Sequence, residues 1–160
     1  MGLDQYLEAR KYVGGWSFRP IDEQNTYEDT LAMVGLTKAD LSPEASPTIN
    51  VSVGVGYWRK ANQVHAWFVQ NVQGGEDNCG TYFVSKEQLL ELVDTCKNVK
   101  IDHSKAGELL PVGEGFFFGH YEYDEWYFEQ LDNTIEMLEK LLYNPKFASD
   151  DWDFYYHSSW

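Results

Sequence analysis

The sequence predicts an α+β fold: a small, mainly antiparallel sheet packed with about four helices, with residues 1–160 forming one domain. Three observations carry this expectation. From Ile49 to Tyr57 the apolar residues Ile49, Val51, Val53, Val55 and Tyr57 alternate with Asn50, Ser52, Gly54, Gly56 and then Trp58, the period of a half-buried strand. The spacing then turns helical, with Val64, Phe68 and Val72 one turn apart. A longer helical stripe follows in Trp126, Tyr127, Leu131, Ile135, Leu138 and Leu142.

The remaining elements follow in order. Asp4–Val13 reads as a first strand with Leu7, Ala9 and Val13 on one face, ended by Gly14 and Gly15. Thr26–Val34 reads as a short helix capped by Thr26, with Glu28 and Asp29 in its first turn and Gly35 after its end. Ser42–Pro47 is a loop, because both prolines lack an N–H. Gly74–Gly80 is a tight polar loop, and Thr81–Val84 a short strand. Ser85 and Gln88 form a capping box that opens a helix to about Lys97, with Leu89, Leu92, Val93 and Cys96 inward. Gly113–Gly119 holds a Phe116-Phe117-Phe118 cluster. The long helix is expected over Tyr123–Tyr143, stopped by Asn144-Pro145, and Trp152–Trp160 as an edge strand.

Composition narrows the function classes. Hydrophobic residues make up 43% and aromatics 16%, which argues against disorder. No apolar run has the length of a membrane span, and the N-terminal residues lack the basic and apolar regions of a secretory signal. Tyr6 stands where a myristoylation motif needs Ser or Thr. Two cysteines suit a reducing compartment. Net charge is −14, and residues 107–160 hold 12 acids against Lys140 and Lys146. Such a chain disfavours direct contact with nucleic-acid phosphates and acidic membranes, and attracts basic proteins. The plain alternative is that the charge serves solubility.

Against that background Arg59 and Lys60 stand out, since they fall where the strand gives way to a helix whose first N–H groups need acceptors. There they can hold a phosphate or carboxylate, with Tyr57 beside them and Trp58 stacking on a ring. Asn62 and His65, three apart on the helix, can read polar edges. The alternative is internal pairing of Arg59 and Lys60 with Asp124 and Glu125. No P-loop pattern is present. Asp77 and Asn78 in the glycine loop can bind a hydroxyl, an amine or a cation, or simply make the turn. Cys79 can act as a nucleophile with His65 as base, or be an ordinary structural cysteine. Tyr123, Asp124 and Trp126 can surround a ligand, while Asp124 and Glu125 equally suit a helix start. The four histidines and two cysteines have no zinc spacing and the acids no EF-hand spacing, so neither metal nor cofactor is expected.

Several motifs resemble an uncharacterised protein family of tailed phages and related bacterial sequences. They are Met-Gly-Leu-Asp at 1–4, Gly-Tyr-Trp-Arg-Lys-Ala-Asn at 56–62, His65 with Trp67-Phe68-Val69, and Asn71-Val72-Gln73. Asp77 with Cys79-Gly80, Leu110-Pro111, Gly115–Gly119, Tyr123-Asp124-Glu125-Trp126 and Trp152–Tyr156 complete the set. The resemblance implies a phage accessory protein acting in the cytoplasm of an infected bacterium, and no particular chemistry. The leading expectation is a non-catalytic binding protein that counters host defence or redirects host machinery. It would sequester a small anionic, nucleotide-like ligand with Tyr57, Trp58, Arg59, Lys60, Asn62, His65, Asp77, Cys79, Tyr123, Asp124 and Trp126. An acidic nucleic-acid mimic presenting Glu122, Glu125, Glu129, Asp132, Glu136 and Glu139 to a basic host protein is the rival. A small hydrolase or transferase using Cys79 and His65 is the third reading. A homo-oligomer is expected through edge-to-edge pairing of the C-terminal strand.

Overall fold

The computed structural model describes residues 2–113 and 122–160. The Phe116–Phe118 cluster, His120 and Met1 lie outside the described residues. Among the described residues the fold is α+β, a four-stranded antiparallel sheet with five helices. Strands β1 (Asp4–Gly14), β2 (Thr48–Arg59), β3 (Tyr82–Val84) and β4 (Trp152–Ser159) lie in the order β2-β1-β4-β3. β4 is therefore interior, which corrects the expectation of a C-terminal edge strand. Its alternation reflects burial: Phe154, Tyr156 and Ser158 point inward, and β3 pairs with it from Tyr82↔Tyr156 to Val84↔Phe154.

β2 forms where its alternation predicts, but its inward face changes along its length. At the start Ile49 and Val51 are partly buried, as expected. At the end Trp58 is buried while Tyr57 is exposed, the reverse of the expected facing. The cause is register. Lys60 N–H donates to the Leu3 carbonyl and Gly15 N–H to the Pro47 carbonyl. Between these bonds β2 advances 13 residues against 12 on β1. One extra residue is a β-bulge, and it transfers the following side chains to the other face. Gly56 then leaves room for a helix: a Cβ there would stand 3.1 Å from Met137 Sδ.

The helices are α1 (Ile21–Met33), α2 (Asn62–Asn71), α3 (Lys86–Ile101), α4 (Ala106–Leu109) and α5 (Glu125–Leu142). α1 starts five residues before the expected Thr26. Thr26 is no cap; its hydroxyl donates to the Asp22 carbonyl at 2.8 Å inside the helix. Pro20 stands at the N-cap with ψ 149°, and its carbonyl accepts the first helical bond, from Gln24 N–H at 3.1 Å. α3 has both bonds of its capping box, Gln88 N–H to Ser85 Oγ and Ser85 N–H to Gln88 Oε1. It runs four residues past the expected end. Asp124 caps α5 from outside by accepting from Tyr127 N–H at 3.0 Å.

The chain forms two compact units. One comprises the residues up to Ala9 together with Val53–Trp160. Its core gathers Leu7, Trp58, Phe68, Leu89, Leu92, Cys96, Leu131, Leu138 and Tyr156, with Phe68 and Tyr156 stacked 3.9 Å apart. The other, Arg10–Ser52, packs Leu41, Ile49 and Val51 around Val13, Tyr27 and Leu31. Among the described residues no helix is long and apolar enough to cross a membrane.

Candidate functional site

A groove of about 840 Å³ lies between the end of β2 and α5. β2 and the residue after it supply Val55, Tyr57, Trp58, Arg59 and Lys60. α5 supplies Trp126, Gln130, Asn133, Glu136, Met137, Lys140 and Leu141, and Asn144 and Phe147 close one end. The helical residues recur at three- and four-residue intervals, so they form one stripe beside the buried leucines. The lining holds three cations, Arg59, Lys60 and Lys140, and one carboxylate, Glu136. Among the described residues none of these three cations has a carboxylate within ion-pair distance. The proposed internal pairing of Arg59 and Lys60 with Asp124 and Glu125 is therefore not made. In a chain of net charge −14 this is a local reversal of sign. Lys60 is also one of two non-glycine residues described with positive φ, at 58°, which angles the chain from β2 into α2.

The expected roles change at several positions. Trp58 lines the groove but is 3% exposed; its indole packs against Phe68, and Nε1–H donates to Thr134 Oγ1 at 2.9 Å. It is a wall of the groove and not an open stacking face. The first turn of α2 is no open anion site, because Ala61 through His65 are all buried. Asn62 Oδ1 accepts from Gly113 N–H at 3.1 Å, so it serves the fold. Tyr57 is half-exposed and donates to Asp4, which raises its phenol pKa.

His65 and Asp77 meet, but away from the groove. His65 Nε2 lies 3.0 Å from Asp77 Oδ2, and Nδ1 lies 2.8 Å from the Tyr156 hydroxyl. Tyr156 continues to Gln5 Oε1 at 3.1 Å, and Gln5 Nε2–H donates to the Ala61 carbonyl. On the other side Trp160 Nε1–H donates to Asp77 Oδ1 at 3.1 Å. The result is a polar chain that runs from exposed Trp160 into the buried core at Gln5. Burial drives the Tyr156 phenol well above its ordinary pKa, and the neighbouring Asp77 and Cys79 add to the effect. Both ring nitrogens of His65 are thus engaged, which leaves thiol catalysis by Cys79 without a free base in this arrangement.

Comparison with known proteins finds no matching family model, no matching curated protein and no matching solved structure. The site therefore rests on its own geometry.

The eleven candidate residues divide into three places. Tyr57, Trp58, Arg59, Lys60 and Trp126 line the groove. His65 and Asp77 form the buried chain, with exposed Cys79 in the same loop. Asn62 holds Gly113, and Tyr123 and Asp124 pack at the start of α5, where Tyr123 meets Tyr127 edge-on at 5.1 Å. Sequence reasoning missed Gln130, Asn133, Met137 and Lys140. Their helical spacing beside the leucine stripe was the available signal. The acidic face of α5 is also less free than its sequence suggests, since Lys97 holds Glu139 and Lys100 holds Asp132, each at 2.6 Å. Among the described residues no group of three or more His, Cys, Asp or Glu side chains is placed to hold a metal ion.

Proposed function

We propose that this chain is a non-catalytic binding protein whose groove sequesters a small anionic, nucleotide-like ligand. The observation that carries the reading is the cluster of Arg59, Lys60 and Lys140 around a ligand-sized groove, without carboxylate partners among the described residues. Pockets of roughly 300–1,000 Å³ suit small molecules, and Trp126 lines this one together with the cations. The resemblance of Gly56–Asn62 and Tyr123–Trp126 to a tailed-phage family supports a phage-encoded protein. It would act in the cytoplasm of the infected bacterium against host defence or host machinery.

Native mass spectrometry of the protein recovered from infected cells tests this. A small added mass per chain is expected, and Arg59→Glu should lose it while keeping the wild-type circular dichroism. A ligand retained by Arg59→Glu, or no added mass on the wild type, overturns the reading.

A further inference from the structure

Three contacts show how β2 passes α5. Gly56 stands against Met137, Trp58 bonds Thr134, and Gln63 Nε2–H donates to the Tyr127 carbonyl at 3.4 Å. Arg59 and Lys60 therefore lie level with Gln130 and Asn133. In the other direction Val55 precedes Trp58 by three residues, about 10 Å of strand. Lys140 follows Thr134 by six residues, a helical rise of about 9 Å. Lys140 is thus level with Val55, and the groove follows β2 from Val55 to Lys60 with cations at both ends.

Tyr57, Trp58, Arg59 and Lys60 all line this groove. A groove above a sheet face meets every second residue of a strand, because side chains alternate. One that meets four in succession runs along the strand's edge. β2 is an edge strand in the order β2-β1-β4-β3. Lys60 N–H donates to the Leu3 carbonyl at the start of β1, so by alternation Trp58 also turns its main-chain groups to β1. Those of Tyr57 and Arg59 point the other way, and among the described residues no strand lies on that side. Natural edge strands are blunted by charge or proline. Residues 53–58 have neither, and Val53 and Tyr57 are exposed.

An open strand edge beside a helix takes up an extended peptide as an added strand, through main-chain hydrogen bonds. The lining sets the charge of that peptide, since three cations outnumber the one carboxylate. Residues i and i+4 of an extended peptide share a face about 13 Å apart, the run from Val55 to Arg59 along β2. A second copy of this chain fits worse. Antiparallel pairing of two β2 edges sets one group of cations against the other, in chains that each carry −14. We propose that an extended acidic segment of a partner protein adds to β2 as a fifth strand. Its main chain bonds Tyr57 and Arg59. Its two acidic side chains, four positions apart, are held by Arg59 and Lys60 at one end and by Lys140 at the other. The strand edge carries this inference independently of the small-anion reading; the two ligands share the cations and exclude one another.

Selection of random heptapeptides on the immobilised full chain tests it, followed by amide hydrogen exchange of the wild-type protein with the most enriched peptide. The enriched sequences are expected to carry Asp or Glu four positions apart, with β-branched or aromatic residues between them. The bound peptide should slow exchange at Tyr57 and Arg59 and leave Trp58, already turned to β1, unchanged. Arg59→Glu and Lys140→Glu should each weaken that peptide by about ten-fold or more while keeping the wild-type circular dichroism. No enrichment, enrichment without the acid pair, a bound peptide that leaves the Tyr57 and Arg59 amides unprotected, or wild-type affinity in both variants overturns the proposal. Slowed exchange at the same amides in the protein alone, growing with its concentration, gives the edge to a second copy and also overturns it. The small-anion reading is decided separately, by the mass found on the protein from infected cells.

Discussion

His65 Nε2 stands 3.0 Å from Asp77 Oδ2, and this contact holds the Gly74–Gly80 loop to the buried face of α2. The imidazole is 2% exposed and its other nitrogen serves Tyr156. Replacing His65 by Ala removes one hydrogen bond from the Asp77 carboxylate, which keeps Trp160, and one from the Tyr156 hydroxyl, which keeps Gln5. Each lost hydrogen bond costs about 0.5–1.5 kcal/mol, and the emptied ring site adds a cavity. His65→Ala should therefore lose about 3 kcal/mol in urea unfolding. Asp77→Asn should lose about 1 kcal/mol, because its amide oxygen still accepts from His65 or Trp160. Equal, negligible losses in both variants would show that the chain of bonds does not hold the loop.

Gly54 and Gly56 offer an internal control on one strand. A Cβ at 56 would meet Leu7 Cβ and Met137 Sδ, both at 3.1 Å, while a Cβ at 54 meets nothing within 4 Å. Overpacking costs typically 1–3 kcal/mol, whereas Gly→Ala in open, compatible backbone stabilises by about 0.4–1 kcal/mol. Gly56→Ala should destabilise by about 1–2 kcal/mol and Gly54→Ala should be neutral or slightly stabilising. Chemical denaturation of the two variants checks the difference, and Met137→Ala should recover part of the Gly56→Ala loss.

The β2 strand also shows how far the sequence could be read. Its existence follows from alternation, because period two has no helical reading. Its facing could not be obtained the same way. Glycine has no side chain to mark a face, and Gly56 lies on the buried face because a helix needs the space above it. The bulge that changes the facing leaves no mark in residue type. The site was legible in the same degree. Arg59 and Lys60 stood out by charge, but their partner wall on α5 lies some seventy to eighty positions away, and only packing brings Lys140 beside them. The α3 capping box, by contrast, is wholly local and formed as expected.

Burial pushes the Cys96 thiol up to about 12 from 9.0, and also raises the pKa of the Tyr127 and Tyr156 phenols. In each case the folded state keeps a proton that the unfolded chain gives up. Stability is then complete below pH 9 and falls as pH rises from about 9 toward 12, with cysteine ionisation in the unfolded chain first and tyrosine following above 10. Urea midpoints measured from pH 8 to pH 11 should decline. A chromogenic disulfide reagent at pH 8 should react at once with exposed Cys79 and reach Cys96 only on unfolding. Two fast thiols in the native protein would contradict this packing.

The sheet's central pair joins β1, near the start of the chain, to β4, near its end, and Tyr156 bonds Gln5 across 151 positions. On a translating ribosome β1 and β2 emerge early and can pair with each other. Leu7, Trp58 and Phe68 must then wait for Tyr156, which arrives only when β4 has been made. Throughout that interval the growing chain carries uncovered aromatic surface. Completion of this sheet therefore waits until β4 has been made, slowed by its most distant contact, and a nascent chain that stalls before β4 is a substrate for chaperones and proteases rather than a partly working protein.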